Sequence, residues 1–142
     1  MKRARRYVLE AKLAVLVSAV VRRLPRRFVL ALGRSLGRVW GALDKRHLEI
    51  AVDNLRHAFP EWDEARVQRT ARGVYAHFGT ILFDILWMEG RSSEELLALT
   101  DVEGLEMARA ALASGRGVLC PTGHFGNWEF QGIASALLVG PF

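Results

Sequence analysis

His124 and Glu129 stand five residues apart in the stretch His124-Phe125-Gly126-Asn127-Trp128-Glu129, directly after the short apolar run Gly117-Val118-Leu119-Cys120. A neutral imidazole can take a hydroxyl proton on one nitrogen while a carboxylate holds the other and steadies the charged ring. The spacing suits that division of labour. A strand over 117–120, a turn through Pro121-Thr122-Gly123 and a helix over 127–138 would put His124 at the mouth of a loop. Glu129 would then sit in the first helical turn, free to fold back toward it. Gly126 provides turn freedom and Asn127 a helix cap. No serine sits nearby in a GxSxG elbow, so direct attack by a bound alcohol is simpler than a covalent enzyme intermediate. Cys120 is the rival nucleophile, but a small buried hydrophobe at the strand end is its simpler role.

Other chemistries are poorly supplied. His47, His57, His77 and His124 have no CxxC or HExxH companions, so no zinc-type ligand set is expected, and the proposed proton transfer calls for neither metal nor cofactor. A single cysteine excludes an internal disulfide. Residues 1–46 carry 13 Lys and Arg against only Glu10 and Asp44, a net +11, whereas the rest of the chain is −6. Such asymmetry points to a polyanionic surface. Leu, Val and Ala back the basic residues, so an anionic membrane surface is the expected partner and nucleic acid is not.

The elements that must position the pair read as helices first and then a β-turn-α unit. Tyr7 to Val21 is apolar apart from Glu10, Lys12 and Ser18, shorter than the ~20 residues of a span. Between the basic clusters Lys2-Arg6 and Arg22-Arg27 it reads as an uncleaved, shallow or tilted anchor, with a buried core helix as the alternative. From Phe28 to Leu43, at about 100° per residue, Arg27, Arg34, Arg38 and Lys45 fall on one line, with Phe28, Leu32, Leu36, Val39 and Leu43 on the other face. That amphipathic helix lies either on anionic lipid or over a core. Leu48 to Ala58 continues helical up to Pro60, and Trp62 and Val67 bracket Asp63 as a staple around an N-cap. The long helix that follows runs toward Met88, with Val67, Ala71, Val74, Phe78, Ile81, Ile85 and Met88 recurring at three and four. Phe83 and Trp87 would extend it into a lipid-facing groove. Ser92 with Glu95 makes a capping box, and Gly104 to Ser114 a further short helix stopped by Gly115. The expected fold class is α/β, with membrane-associated helices over 1–46 and the amino-terminal part of an α/β domain over 47–142. The carboxyl end, with no second strand to pair with 118–120, suggests a fragment of a longer protein.

The run Gly123-His124-Phe125-Gly126-Asn127-Trp128-Glu129 resembles the H-x4-D/E motif of the lipid A biosynthesis (lauroyl/myristoyl) acyltransferases, within the lysophospholipid acyltransferase superfamily. Two further passages are similar to that family. Ala51-Val52-Asp53-Asn54-Leu55 through Ala58-Phe59-Pro60-Glu61 looks like its upstream N-L-x-x-x-F-P signature, and Val102-Glu103-Gly104 with Gly115-Arg116-Gly117-Val118-Leu119 looks like its approach to the catalytic strand. The likeness covers about the amino-terminal half of a typical member. It implies an O-acyltransferase that moves a fatty acyl chain from acyl carrier protein, or acyl-CoA, to a hydroxyl of a membrane glycolipid at the cytoplasmic face of the inner membrane. It also implies His124 and Glu129 as catalytic residues, with Gly126 and Asn127 shaping the turn and binding substrate. Related enzymes acylate other glycolipids such as phosphatidylinositol mannosides. A non-catalytic lipid-binding module is the alternative from a different class.

Overall fold

The computed structural model describes residues 2–140, for residues 2–6 and 8–10 the backbone alone. The basic cluster Lys2-Arg6 and Glu10 therefore lie outside the described side chains. Among the described residues seven helices follow one another: α1 (Lys2–Val21), α2 (Arg26–Leu43), α3 (Lys45–Ala58), α4 (Glu64–Met88), α5 (Ser93–Leu97), α6 (Leu105–Ala113) and α7 (Trp128–Val139). They belong to two compact units that divide between Glu89 and Gly90.

The fold is all-helical among the described residues, and this corrects the α/β expectation. Residues 117–123 run without regular structure, and Leu119, expected inside a buried strand, is 95% exposed. An apolar run becomes a strand only when a neighbour accepts and donates its backbone hydrogen bonds, and no such neighbour exists among the described residues. Of the membrane-associated helices expected over 1–46, as of the other described helices, none is long and apolar enough to cross a membrane.

In the first unit α4 is the organising element, with α1, α2 and α3 packed against it. Asp63 caps it by accepting from the Arg66 N–H at 2.7 Å, as the sequence indicates. Trp62 and Val67 meet in a cluster with Val52, Ala71, Leu48, Ala51 and Leu55, which joins α3 to α4. Phe59 stacks on Trp62 with centroids 4.1 Å apart, and the Arg66 guanidinium lies 4.0 Å over the same indole. Arg56 clasps Glu64 across the turn at 2.8 Å and holds its carboxyl below the usual range. The expectation for Trp87 is corrected. It is buried, and its indole N–H donates to the Leu24 carbonyl at 3.0 Å.

The α2–α4 contact is made by glycine. The buried residues of α2 are Val29, Gly33, Gly37 and Gly41, none of which belongs to the apolar face read from the sequence. A Cβ on Gly33 would stand 2.8 Å from the Phe83 Cβ, and one on Gly79 would stand 2.8 Å from the Gly37 Cα. One on Gly37 would run into the Tyr75 carbonyl. Backbone thus lies on backbone, as only residues without side chains permit. One end of this contact is pinned by charge. Asp84, 5% exposed, accepts from Arg26 Nε and Nη2, both at 2.9 Å, and the same guanidinium sits 5.8 Å from the Trp87 ring centre. Ser18 Oγ donates to Glu89 Oε2 at 2.7 Å and ties α1 to the carboxyl end of α4.

Two expectations follow for stability in urea denaturation. Gly37→Ala costs about 1–3 kcal/mol through overpacking, whereas Gly73→Ala, whose new Cβ meets nothing within 4 Å, gains about 0.5–1 kcal/mol because it only stiffens a helix interior. Equal effects at the two positions would contradict the close approach. Arg26→Ala leaves a buried carboxylate and costs on the order of 2–3 kcal/mol. That is less than the ~3–5 of a wholly buried pair, since 35% of the Arg26 side chain remains in solvent. Adding Asp84→Leu restores part of the loss.

Candidate active site

The candidate residues all lie in the second unit, whose framework is set by short-range signals. Ser92 accepts from the Glu95 N–H at 3.2 Å while the Glu95 carboxylate accepts from the Ser92 N–H at 2.9 Å, the reciprocal box expected at the start of α5. The bond from the Ser92 N–H holds the Glu95 carboxyl below the usual range, assisted by Arg91. α5 and α6 both pack on α7, with Leu96 and Ala134 buried.

The turn into α7 is built from three local contacts. The Phe125 N–H donates to the Gly123 carbonyl at 2.8 Å, which tightens the chain around His124. Gly126 adopts φ +58°, a left-handed conformation that costs a side-chain-bearing residue roughly 1–2 kcal/mol. Asn127 is the N-cap, accepting on Oδ1 from the Phe130 N–H at 3.1 Å. Glu129 then falls in the first turn of α7, where the helix dipole favours a carboxylate. Gly126 and Asn127 therefore have an evident local role in shaping the turn.

His124 and Glu129 both project from this turn and both are exposed. They meet through Trp128. The His124 ring packs edge-to-face on the Trp128 ring, centroids 4.9 Å apart and planes at 64°, and the Trp128 indole N–H donates to Glu129 Oε1 at 3.1 Å. Among the described residues no hydrogen bond joins His124 to Glu129. Trp128 is the site residue that the spacing of a base and an acid did not single out. Its position between them in the sequence was the available signal.

Beside this turn lies an open cleft of about 880 Å³ within the same unit, walled mainly by apolar side chains including Leu105, Leu112, Val118, Phe130 and Leu138. Asn127, Thr122 and Gln131 bring polar groups to the wall, and Thr122 Oγ1 lies 3.3 Å from Gln131 Oε1. His124 and Glu129 are not wall residues, although Asn127 between them is. Cys120 also lines the cleft and is exposed, which corrects its expected role as a buried hydrophobe: without a sheet to cover it, residue 120 faces solvent. Among the described residues no cluster of His, Cys, Asp and Glu is arranged to hold a metal ion.

A family model for the bacterial lipid A biosynthesis acyltransferases matches residues 2–137. No curated protein and no solved structure matches the chain.

Exposure of Cys120 has a direct test. A thiol reagent should label one equivalent in the folded protein at a rate within a few fold of that in urea, because no packing must open first. Labelling only after unfolding would return Cys120 to a buried position.

Proposed function

The chain belongs to the bacterial lipid A biosynthesis acyltransferase family, and from that premise we propose that His124 and Glu129 carry an O-acyl transfer from a fatty acyl thioester to a hydroxyl of a membrane glycolipid. The donor is acyl carrier protein or acyl-CoA, and the acceptor is a lipid A precursor met at the cytoplasmic face of the inner membrane. The observation that carries this reading is the turn itself, which presents an imidazole and a carboxylate on one exposed knuckle beside an apolar cleft.

The chemistry follows from the groups present. His124 takes the proton of the acceptor hydroxyl as its oxygen attacks the thioester carbonyl carbon, and the negative charge moves to the carbonyl oxygen. The N-terminal end of α7 favours that charge through its dipole and its opening backbone N–H groups, of which the Phe130 N–H is already given to Asn127. Collapse of the tetrahedral intermediate breaks the carbon–sulfur bond, and the imidazolium returns its proton to the departing thiolate. The products are an ester and a free thiol. Glu129 stabilises the imidazolium while it exists. To do so its carboxylate must leave the Trp128 indole and reach the His124 ring, a change of side-chain rotamers within one turn. The apolar cleft wall suits the hydrocarbon chain of either substrate.

His124→Ala is expected to lower acyl transfer by about 10²–10⁴-fold, with the helical circular dichroism unchanged because the ring is exposed. Glu129→Ala should fall in the same direction, and the two substitutions together should cost little more than the worse of them, since one relay is being broken. Undiminished transfer by either single variant refutes the pair.

A further inference from the structure

We propose that Trp128 is a positioning residue for the His124–Glu129 pair: its ring orients the imidazole, and its indole N–H holds the carboxylate within a rotamer change of that ring. The inference rests on the acyl-transfer reading of this turn and adds to it a residue that is neither the base nor the acid.

Both members of the pair converge on this one side chain. Among the described residues Glu129 makes a single side-chain hydrogen bond within the protein, accepting on Oε1 from the Trp128 indole N–H at 3.1 Å. The His124 side chain makes none, and its ring contact, with centroids 4.9 Å apart and planes at 64°, is with the same indole. Sequence proximity does not provide this by default. Trp128 and Glu129 are the first two residues of α7, and successive residues of a helix point about 100° apart and do not face each other. For the indole to reach the carboxylate, at least one of the two side chains turns away from its radial direction. A carboxylate left to itself in a first helical turn stays in water and meets only the helix dipole.

The indole is also the steadier partner. His124 and Glu129 are exposed, whereas Trp128 is half-buried. An exposed imidazole on a loop samples several rotamers, and a base misplaced by about 1 Å loses much of its effect. Edge-to-face packing on a partly covered ring narrows that choice. Trp128 does not line the apolar cleft, so it acts through its two neighbours and not by holding a hydrocarbon chain. The ring and the N–H can be separated by substitution: Trp128→Phe keeps an aromatic edge and lacks the donor, and Trp128→Leu lacks both.

The test has a spectroscopic arm that needs no substrate. In a nitrogen–proton correlation spectrum of the isotope-labelled chain, the indole signal that Trp128→Phe deletes should move when Glu129→Ala removes its acceptor. The His124 ring protons should lose their ring-current displacement in Trp128→Leu and keep part of it in Trp128→Phe. The second arm follows ester formation from a fatty acyl thioester. Trp128→Leu should lower kcat about tenfold or more with KM for both substrates within about twofold. Trp128→Phe should return kcat to within about fivefold of the parent, the share of one exposed hydrogen bond. Helical circular dichroism checks that α7 still forms in both variants. An indole signal that Glu129→Ala leaves unmoved overturns the proposal. So does a Trp128→Leu variant that keeps its kcat, that raises KM alone, or that does no more harm than Trp128→Phe. His124→Ala is assayed in parallel. Transfer lost there but kept in Trp128→Leu removes this inference and leaves the pair standing, whereas transfer kept in His124→Ala removes the pair and this inference with it.

Discussion

Everything in the first unit follows from how closely α2 approaches α4. Gly33, Gly37 and Gly79 let the two backbones touch, and no side chain of any size can be inserted there without moving a helix. Such contact trades hydrophobic burial for dispersion between tightly apposed backbones. It also fixes rotation: once the glycine face is turned inward, the apolar and cationic faces of α2 must both point away from α4. The paired Arg26 and Asp84 set the register at one end, since a buried carboxylate tolerates displacement from its guanidinium poorly.

That rotation was illegible from the spacing of apolar residues, and the reason is physical. Such periodicity weighs large side chains, so Phe28, Leu32, Leu36, Val39 and Leu43 dominate it, while glycine at intervals of four registers as neutral. The intervals themselves, Gly33 to Gly37 to Gly41, were in plain sight and were the proper signal for close helix packing. Local signals fared better. The caps at Asp63, Ser92 and Asn127 and the stop at Gly115 each act within about four residues of backbone, and the structure has them where the residue types indicate.

The strand fared worst because a strand is a relation between segments. Val118-Leu119-Cys120 has the composition of a buried strand, yet composition does not supply the partner whose carbonyls and N–H groups complete a ladder. Cys120 shows the consequence in one residue: a sheet would cover it, and without one the thiol is exposed.

The candidate site survives this loss because its shape is made locally. The turn around His124 rests on the Gly123 carbonyl, the left-handed Gly126 and the Asn127 cap, all within five residues, and none of these contacts involves residues 117–120. A knuckle of this kind holds its side chains in position whether or not a sheet stands behind it. What local order does not provide is the contact between base and acid. Trp128 occupies that role, touching the imidazole with its ring and the carboxylate with its N–H. An exposed indole hydrogen bond is weak enough to exchange, worth about 1 kcal/mol net. In the proposed transfer a charged imidazole would be the stronger partner for Glu129, so the carboxylate would leave the indole for it readily.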